Sequence, residues 1–228
     1  MSLRRRLNKY LRDWRTFPGD AALAYHNGGL REVWNTLAPR TLHRVVRTGR
    51  FIVFAQPLDR AADIAPPPGV TISPVSALDW EALATLVTQR QLDRFHALVA
   101  AGRHLLIAWR GRRPIGYAWV AERIGPDVTL VSLPLPPDAA YLWDLYVLPA
   151  ERGNGIGSAL AGARCRLARE RGFREGWRMI APSNHASVRT LLKSGTDTRV
   201  LGEVRFVKLI TRMYTRFIPA AELQAGTL

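Results

Sequence analysis

The sequence predicts a mixed α/β fold of the α+β kind, a central sheet flanked by helices, preceded by a basic helical extension. Three observations carry this expectation. After Val70 the apolar spacing switches repeatedly between helical and alternating periods. Gly and Pro punctuate those switches. Of the 228 residues 47% are hydrophobic, enough for a substantial core.

The elements follow in order. Leu3, Leu7, Tyr10, Leu11 and Trp14 recur at helical spacing, ringed by Arg4, Arg5, Arg6, Lys9, Arg12 and Arg15. "GLREVWNTLAPRTLHRVVRTG" is a second helical stretch, interrupted at Pro39. "RFIVFAQPL" reads as a strand and "ADIAPPPG" as a stiff linker. The expected division is therefore residues 1–66, an extension with one strand and a Pro-rich linker, and residues 67–228, the main domain. Within the latter, "VTISPV" is a strand, and "SALDWEALATLVTQ" a helix capped by Ser76 or Asp79. "RQLDRFHALVAAG" is a helix closed by Gly102. "HLLIAWR" and "IGYAWVAERI" form a hairpin around "GRRP", and residues 125–140 hold one strand before a Pro-rich loop. "YLWDLYVL" is a strand, "GSALAGARCRLARERG" a helix, "WRMIAP" a strand and "NHASVRTLLKSG" a short helix. "TRVLGEVRFVKLITRMYTRF" closes the chain with one or two strands.

Charge and cysteine content narrow the setting. The net charge is +15, and lysine occurs only at Lys9, Lys193 and Lys208, so arginine carries nearly all of it. Residues 1–50 hold eleven Arg or Lys against three Asp or Glu. Such a balance favours anionic company: phosphates, nucleic acid or an acidic membrane surface. No motif of specific nucleic-acid recognition accompanies it. The Arg-ringed apolar stripe at residues 3–15 either docks on its own domain or lies on an anionic membrane. Cys165 is the sole cysteine, so no internal disulfide forms. No run approaches the ~18 apolar residues of a membrane span. Arginines and an aspartate break up what would be a signal peptide's apolar core, and a cytoplasmic location is expected.

The most informative stretch is "LYVLPAERGNGIGSAL", residues 145–160, where a strand gives way through Arg152-Gly153-Asn154-Gly155-Ile156-Gly157 to a helix. The first N–H groups of a helix lack internal partners, and the dipole adds positive potential there. Glycines let a ligand approach the backbone and can turn successive N–H groups toward one concavity. This is the chemistry of a phosphate cradle. A dinucleotide fingerprint does not fit, because the spacing is G-x-G-x-G and the following strand ends without an acid. A nucleoside-triphosphate loop does not fit either, because no lysine precedes Ser158.

The stretch resembles the acyl-CoA loop of the GNAT superfamily of N-acetyltransferases, Arg/Gln-x-x-Gly-x-Gly/Ala, at Arg152, Gly155 and Gly157. Val147, two residues before Pro149, matches the strand end that precedes it. "NHASVRTLLKSG" is similar to the family's second motif at Asn184, Ser187, Lys193 and Gly195. The resemblance covers roughly residues 68–212. It implies a mostly antiparallel GNAT-like sheet and acetyl-CoA, or another acyl-CoA, as co-substrate. It further implies a ligand-binding set of Leu145, Val147, Arg152, Gly153, Asn154, Gly155, Gly157, Ser158, Asn184 and Lys193. The activity implied is acyl transfer to an amine, most simply a small molecule, in a ternary complex. A homodimer is compatible with it.

Such transfer needs a base for the amine proton, donors for the oxyanion and a route for the leaving thiolate. The Val147 N–H is the expected oxyanion donor. Asp144, mid-strand in "YLWDLYV", is the candidate base; the alternative is a structural carboxylate paired with an arginine. Strict alternation places Asp144 with Leu142 and Tyr146, and Tyr141, Trp143, Leu145 and Val147 opposite. The family's frequent tyrosine in the second motif falls at Leu191, which cannot donate a proton. The alternative function is thus a GNAT-like CoA-binding module with little or no turnover. His185 reads as a surface residue and Cys165 as small packing. The five histidines lack ligand spacing, so no metal is expected.

Overall fold

The computed structural model describes residues 46–225 except 126, 130, 132, 194–196, 210 and 211, together with residues 22, 23, 25–27, 29, 30 and 33. The stripe at residues 3–15 lies outside the described residues. Residues 22, 23, 25–27, 29, 30 and 33 are helical, and Asn27 Nδ2 donates to the Leu86 carbonyl at 3.4 Å. This part of the extension therefore touches the body of the protein.

Eight strands form one sheet: β1 (Val46–Pro57), β2 (Val70–Pro74), β3 (His104–Arg110), β4 (Arg113–Ala121), β5 (Ala139–Val147), β6 (Glu175–Ile180), β7 (Arg199–Leu209) and β8 (Arg212–Pro219). Their spatial order is β2-β3-β4-β5-β6-β1-β7-β8. Every neighbouring pair is antiparallel except β5 and β6. The helices are α1 (Trp80–Leu83), α2 (Gln89–Ala100), α3 (Ile156–Glu170), α4 (His185–Lys193) and α5 (Ala220–Ala225). No helix among the described residues is long and apolar enough to cross a membrane.

β1 lies inside the sheet, between β6 and β7. The Pro-rich linker after it crosses over rather than separating two bodies, so a boundary at residue 66 does not part β1 from the sheet. The strand also begins earlier than its helical spacing suggests: Val46–Gly49 pair with Phe206–Leu209. Val46 and Thr48 are β-branched, and the ladder with β7 outweighs their modest helical preference.

Three further departures concern local elements. The helix expected over residues 76–89 is only Trp80–Leu83, because Thr88 starts a new one. Its hydroxyl accepts from Gln91 N at 3.4 Å while its own N–H donates to Gln91 Oε1 at 3.0 Å. This capping box opens α2, and Leu86 and Val87 at the bend are buried. Between Ala121 and Ala139 there is no strand among the described residues. That segment is pinned to α2 and its C-terminal turn instead: Arg103 Nε meets Asp127 Oδ2 at 3.0 Å and Arg94 donates to the Asp127 and Val128 carbonyls. The last strand is followed by α5, which apolar spacing alone does not reveal.

The two faces of the sheet hold different contents. On one, Phe95 of α2 meets the rings of Tyr117 and Trp119 edge-on, each at 5.0 Å. On the other, Leu58, Val120, Ala140, Leu142, Cys165 and Ala168 pack together beneath α3. Gly116 allows β4 and β5 to approach α3 closely: a Cβ there would stand 2.7 Å from the Tyr146 carbonyl oxygen and 3.2 Å from Leu160 Cδ1. Because the first obstacle is backbone, Gly116→Ala is expected to cost about 1–3 kcal/mol of stability. Urea denaturation measures this, and an unchanged midpoint would refute the packing described.

Candidate functional site

The site begins where β5 changes partners. β5 pairs in parallel with β6 only over Ala139–Tyr141, the last rung being Tyr141 with Trp177. Beyond it the strands part, while β6 stays paired with β1 and β5 stays paired with β4. The β5 edge from Leu142 to Val147 is therefore open toward β6.

Along the same edge lies a β-bulge. Trp143 opposes Trp119 and Tyr146 opposes Tyr117, so two β5 residues, Asp144 and Leu145, face the single Ala118. Asp144 takes φ +44°, a left-handed value rare for a residue with a side chain. The bulge corrects the alternation expected from sequence. Trp143 stacks on Trp119 at 5.4 Å, Tyr141 on Trp143 at 5.9 Å and Tyr146 on Tyr117 at 5.6 Å, all on the α2 face. Asp144 joins that face, its Oδ1 accepting from the Tyr117 hydroxyl at 3.5 Å. Leu142 packs on the opposite face, and Leu145 and Val147 flank Gly157 of α3. One extra residue has moved Asp144 away from Leu142 and onto an aromatic floor.

Asp144 is open to solvent yet crowded by protein on most sides, the situation of a carboxylate at the bottom of a cleft. That crowding raises its pKa above the usual carboxylate range; Arg94 and the Tyr117 hydroxyl pull it part of the way back. Tyr117 is buried, and burial beside Asp144 holds its phenol well above its ordinary value. Tyr117 is thus a hydrogen-bond donor to the carboxylate and a poor acid. No sequence motif marks Tyr117 or Arg94; the bulge that makes them neighbours of Asp144 is a property of pairing.

The glycine-rich loop follows directly. The 3-10 turn Pro149–Glu151 leads from β5 into it, tied down by Arg110 Nη2 to Glu151 Oε2 at 2.9 Å. Gly153 and Gly155 have φ +88° and +80°, and a Cβ at either would meet nothing within 4 Å. Gly155 is the N-cap of α3, with no side-chain hydrogen bond capping the helix. The first-turn amides of Ile156, Gly157 and Ser158 are therefore left for an external acceptor. Asn154 is exposed at the loop tip. Arg152 is held back against β5: its Nε donates to the Val147 carbonyl at 3.0 Å and its guanidinium lies over Tyr146, 5.8 Å from the ring centre.

Of the second motif, Asn184 caps α4, its Oδ1 accepting from Ser187 N at 3.1 Å. His185 is exposed. Leu191 is 1% exposed and belongs to the interior. Lys193 ends α4, and Gly195 lies outside the described residues. Cys165 is buried and accepts from Arg178 Nη2 at 3.1 Å. Among the described residues no three or more His, Cys, Asp or Glu are grouped to hold a metal ion.

The model of the acetyltransferase (GNAT) family matches residues 73–195, more than half of the chain. The chain belongs to this family. Solved structures share the fold. One is the X-ray structure of a Drosophila melanogaster protein, 19% identical with a TM-score of 0.53, matching 78% of this chain and 56% of its own. Another is a glucosamine N-acetyltransferase region in a fungal multi-domain GH3 β-N-acetylglucosaminidase, 12% identical with a TM-score of 0.52, matching 77% of this chain and 22% of its own. The match thus spans little more than half of one relative and under a quarter of the other. No curated protein matches the chain significantly.

The raised pKa of Asp144 has a consequence for folding. A carboxyl whose folded pKa exceeds its unfolded value favours the native state at low pH and loses that contribution as pH rises through the folded pKa. Asp144→Asn is therefore expected to melt at or above the wild-type temperature at pH 7, with the difference narrowing toward acid. A marked fall in Tm at pH 7 would show instead that the carboxylate is a structural partner.

Proposed function

We propose that this protein is an acyl-CoA-dependent N-acyltransferase, an acetyltransferase in the simplest case, acting on an amine by direct transfer. The observation that carries the reading is the continuity of the open β5 edge, the Asp144 bulge and the glycine-rich α3 N-terminus within one short segment. The uncapped amides of Ile156, Gly157 and Ser158 and the open space at Gly153 and Gly155 suit a pyrophosphate. The unpaired β5 edge, with Leu145 and Val147, suits an extended arm that hydrogen-bonds like a strand. Asn154 and Asn184 stand as further polar contacts for the ligand, and Lys193 as a cationic one.

When bound, acyl-CoA supplies the acyl group as a thioester. The amine nitrogen forms the new C–N bond as the C–S bond breaks. Asp144 takes the proton that the amine gives up; Tyr117 holds the carboxylate in place for this and Arg94 contributes a favourable charge from a distance. The backbone N–H of Val147 is the proposed donor to the carbonyl oxygen. The thiolate departs without a tyrosine, because Leu191 occupies that place in the interior; a thiol is acidic enough to leave in that form.

Buried Leu191 also favours a second reading, a GNAT-like module that binds CoA and does not turn over. Thiol release from acetyl-CoA over a panel of amines separates the two. Release with at least one amine supports the enzyme, and CoA binding with no release supports the module.

Two variants test the roles assigned. Gly155→Val places a β-branched residue at φ +80° and a side chain in the cradle, which costs about 1–3 kcal/mol from the backbone alone. Acetyl-CoA binding by calorimetry is expected to weaken tenfold or more, and unchanged affinity in folded protein would refute the loop assignment. Asp144→Asn is expected to lower kcat by about a hundredfold or more with acetyl-CoA affinity nearly intact. In wild type the acidic limb of the kcat/KM profile lies above the ordinary carboxylate range. Tyr117→Phe removes a hydrogen bond that favours the carboxylate, so its limb moves to higher pH. An unmoved limb would exclude Asp144 as the titrating base.

A further inference from the structure

Arg164, midway along α3, is 6% exposed, and its Nε has no hydrogen-bond partner. No described carboxylate pairs with it. The groups that act on it electrostatically are Arg178, Cys165 and Tyr141, none of them an acid with an ordinary negative charge. Arg178 is itself buried at 2% exposure, and it donates to Gln56 Oε1 at 2.6 Å and to the Cys165 sulfur. Two guanidinium groups therefore share one interior region. Burial lowers the Arg164 pKa to about 9, which still leaves it charged at neutral pH. An uncompensated buried cation costs several kcal/mol. A counter-charge from outside the fold would offset that cost.

The region has a definite place. Tyr141 and Trp177 form the last rung before β5 and β6 part, and Arg178 is the next residue on β6. Arg164 is the neighbour on α3 of Cys165, which Arg178 contacts at 3.1 Å, and so stands on the α3 side of this vertex. Trp143, two residues past the rung, has a buried Nε1–H that also lacks a partner, but it lies on the α2 face, across the sheet from Arg164. A cation with no partner recognises an anion, and the planar guanidinium fork matches a carboxylate best.

We propose that the vertex of the β5–β6 fork binds a carboxylate carried by one of the substrates, with Arg164 as its principal partner. The inference rests on the acyl-transfer reading above, because it takes the reacting end of the substrate to lie at Asp144. Asp144 stands three residues from Tyr141, about 10 Å along a strand. Part of that distance is covered by the arginine side chain. A chain of about four or five carbons ending in a carboxylate spans the rest. Two substrates offer it: a dicarboxylic acyl group on CoA, or an amino-acid acceptor.

The test uses the full-length protein with acetyl-CoA, succinyl-CoA and CoA in calorimetry, and then amino acids against their amides as acceptors. For the donor source, wild type is expected to bind succinyl-CoA at least tenfold more tightly than acetyl-CoA. Arg164→Met loses that preference while its acetyl-CoA affinity holds. For the acceptor source, the donors bind alike, and kcat/KM favours the free amino acid over its amide by tenfold or more until Arg164 is replaced. Arg164→Lys, which keeps the charge, retains part of the preference and serves if the methionine variant does not fold. Trp143→Phe, which removes the N–H together with part of the indole, weakens it by a smaller factor. If CoA binds and no carboxylate preference depends on Arg164 in either arm, the inference is overturned and the acyl-transfer reading survives. If no CoA species binds wild type, the acyl-transfer reading and the inference fall together.

Discussion

β5 is paired with β6 for three residues and then left without a partner on that side while remaining inside the sheet. Backbone N–H and C=O groups that lose their ladder must find other acceptors and donors, so such an edge is costly unless something extended lies along it. The rest of the site depends on that separation. It opens the edge, sets the vertex at Tyr141 and Trp177, and leaves the end of β5 free to run through the turn at Pro149 into the glycine loop. The pairing that persists on the other side, β5 with β4, keeps the edge rigid while it is open.

The bulge acts on the same strand in a different way. By adding a residue opposite Ala118 it reverses which face the following side chains occupy, and it places Asp144 over an aromatic floor beside Tyr117. Water screens a carboxylate in that position poorly, which is why its pKa rises. A base with a raised pKa takes a proton more readily than an ordinary aspartate. The left-handed φ and the crowding are both unfavourable to the folded state taken alone. Their coincidence at one residue fits the role proposed for Asp144, since such strain persists only where well-packed surroundings hold it.

Charge is divided along this axis. Asp144 faces the α2 side with Arg94 near it, while Arg164 and Arg178 are buried at the vertex under α3. Arg103 is buried too but is paired with Asp127, and most of the other described arginines are exposed or partly so. The exposed part is screened at physiological ionic strength and contributes mainly to long-range attraction of anions. The buried pair is screened little, so its effect is local and specific.

Local chemistry made much of this legible from sequence alone. The loop Arg152–Gly157 and the helix after it follow from glycine's backbone freedom and from the uncapped N-terminus, both of which are properties of neighbouring residues. Most of the strand–helix order from Val70 to Phe217 and the mixed sheet follow from period and punctuation in the same way, while Asn184 is marked by resemblance to the family's second motif. What could not be read is what depends on partners distant in sequence. The insertion of β1 between β6 and β7 needs a ladder with residues about 150 positions away. The split of the first expected helix depends on a cap and on the burial of Leu86 and Val87. The face that Asp144 occupies is decided by a bulge against β4, for which an alternating pattern has no signal. The interior position of Arg164 is invisible too, since an arginine on a helix reads as exposed until the sheet beneath it is known to part. Sequence determined which groups are present and where backbone can bend; only the tertiary pairing decided which of them face one another, because strand register and strand separation are set by contacts across the whole sheet.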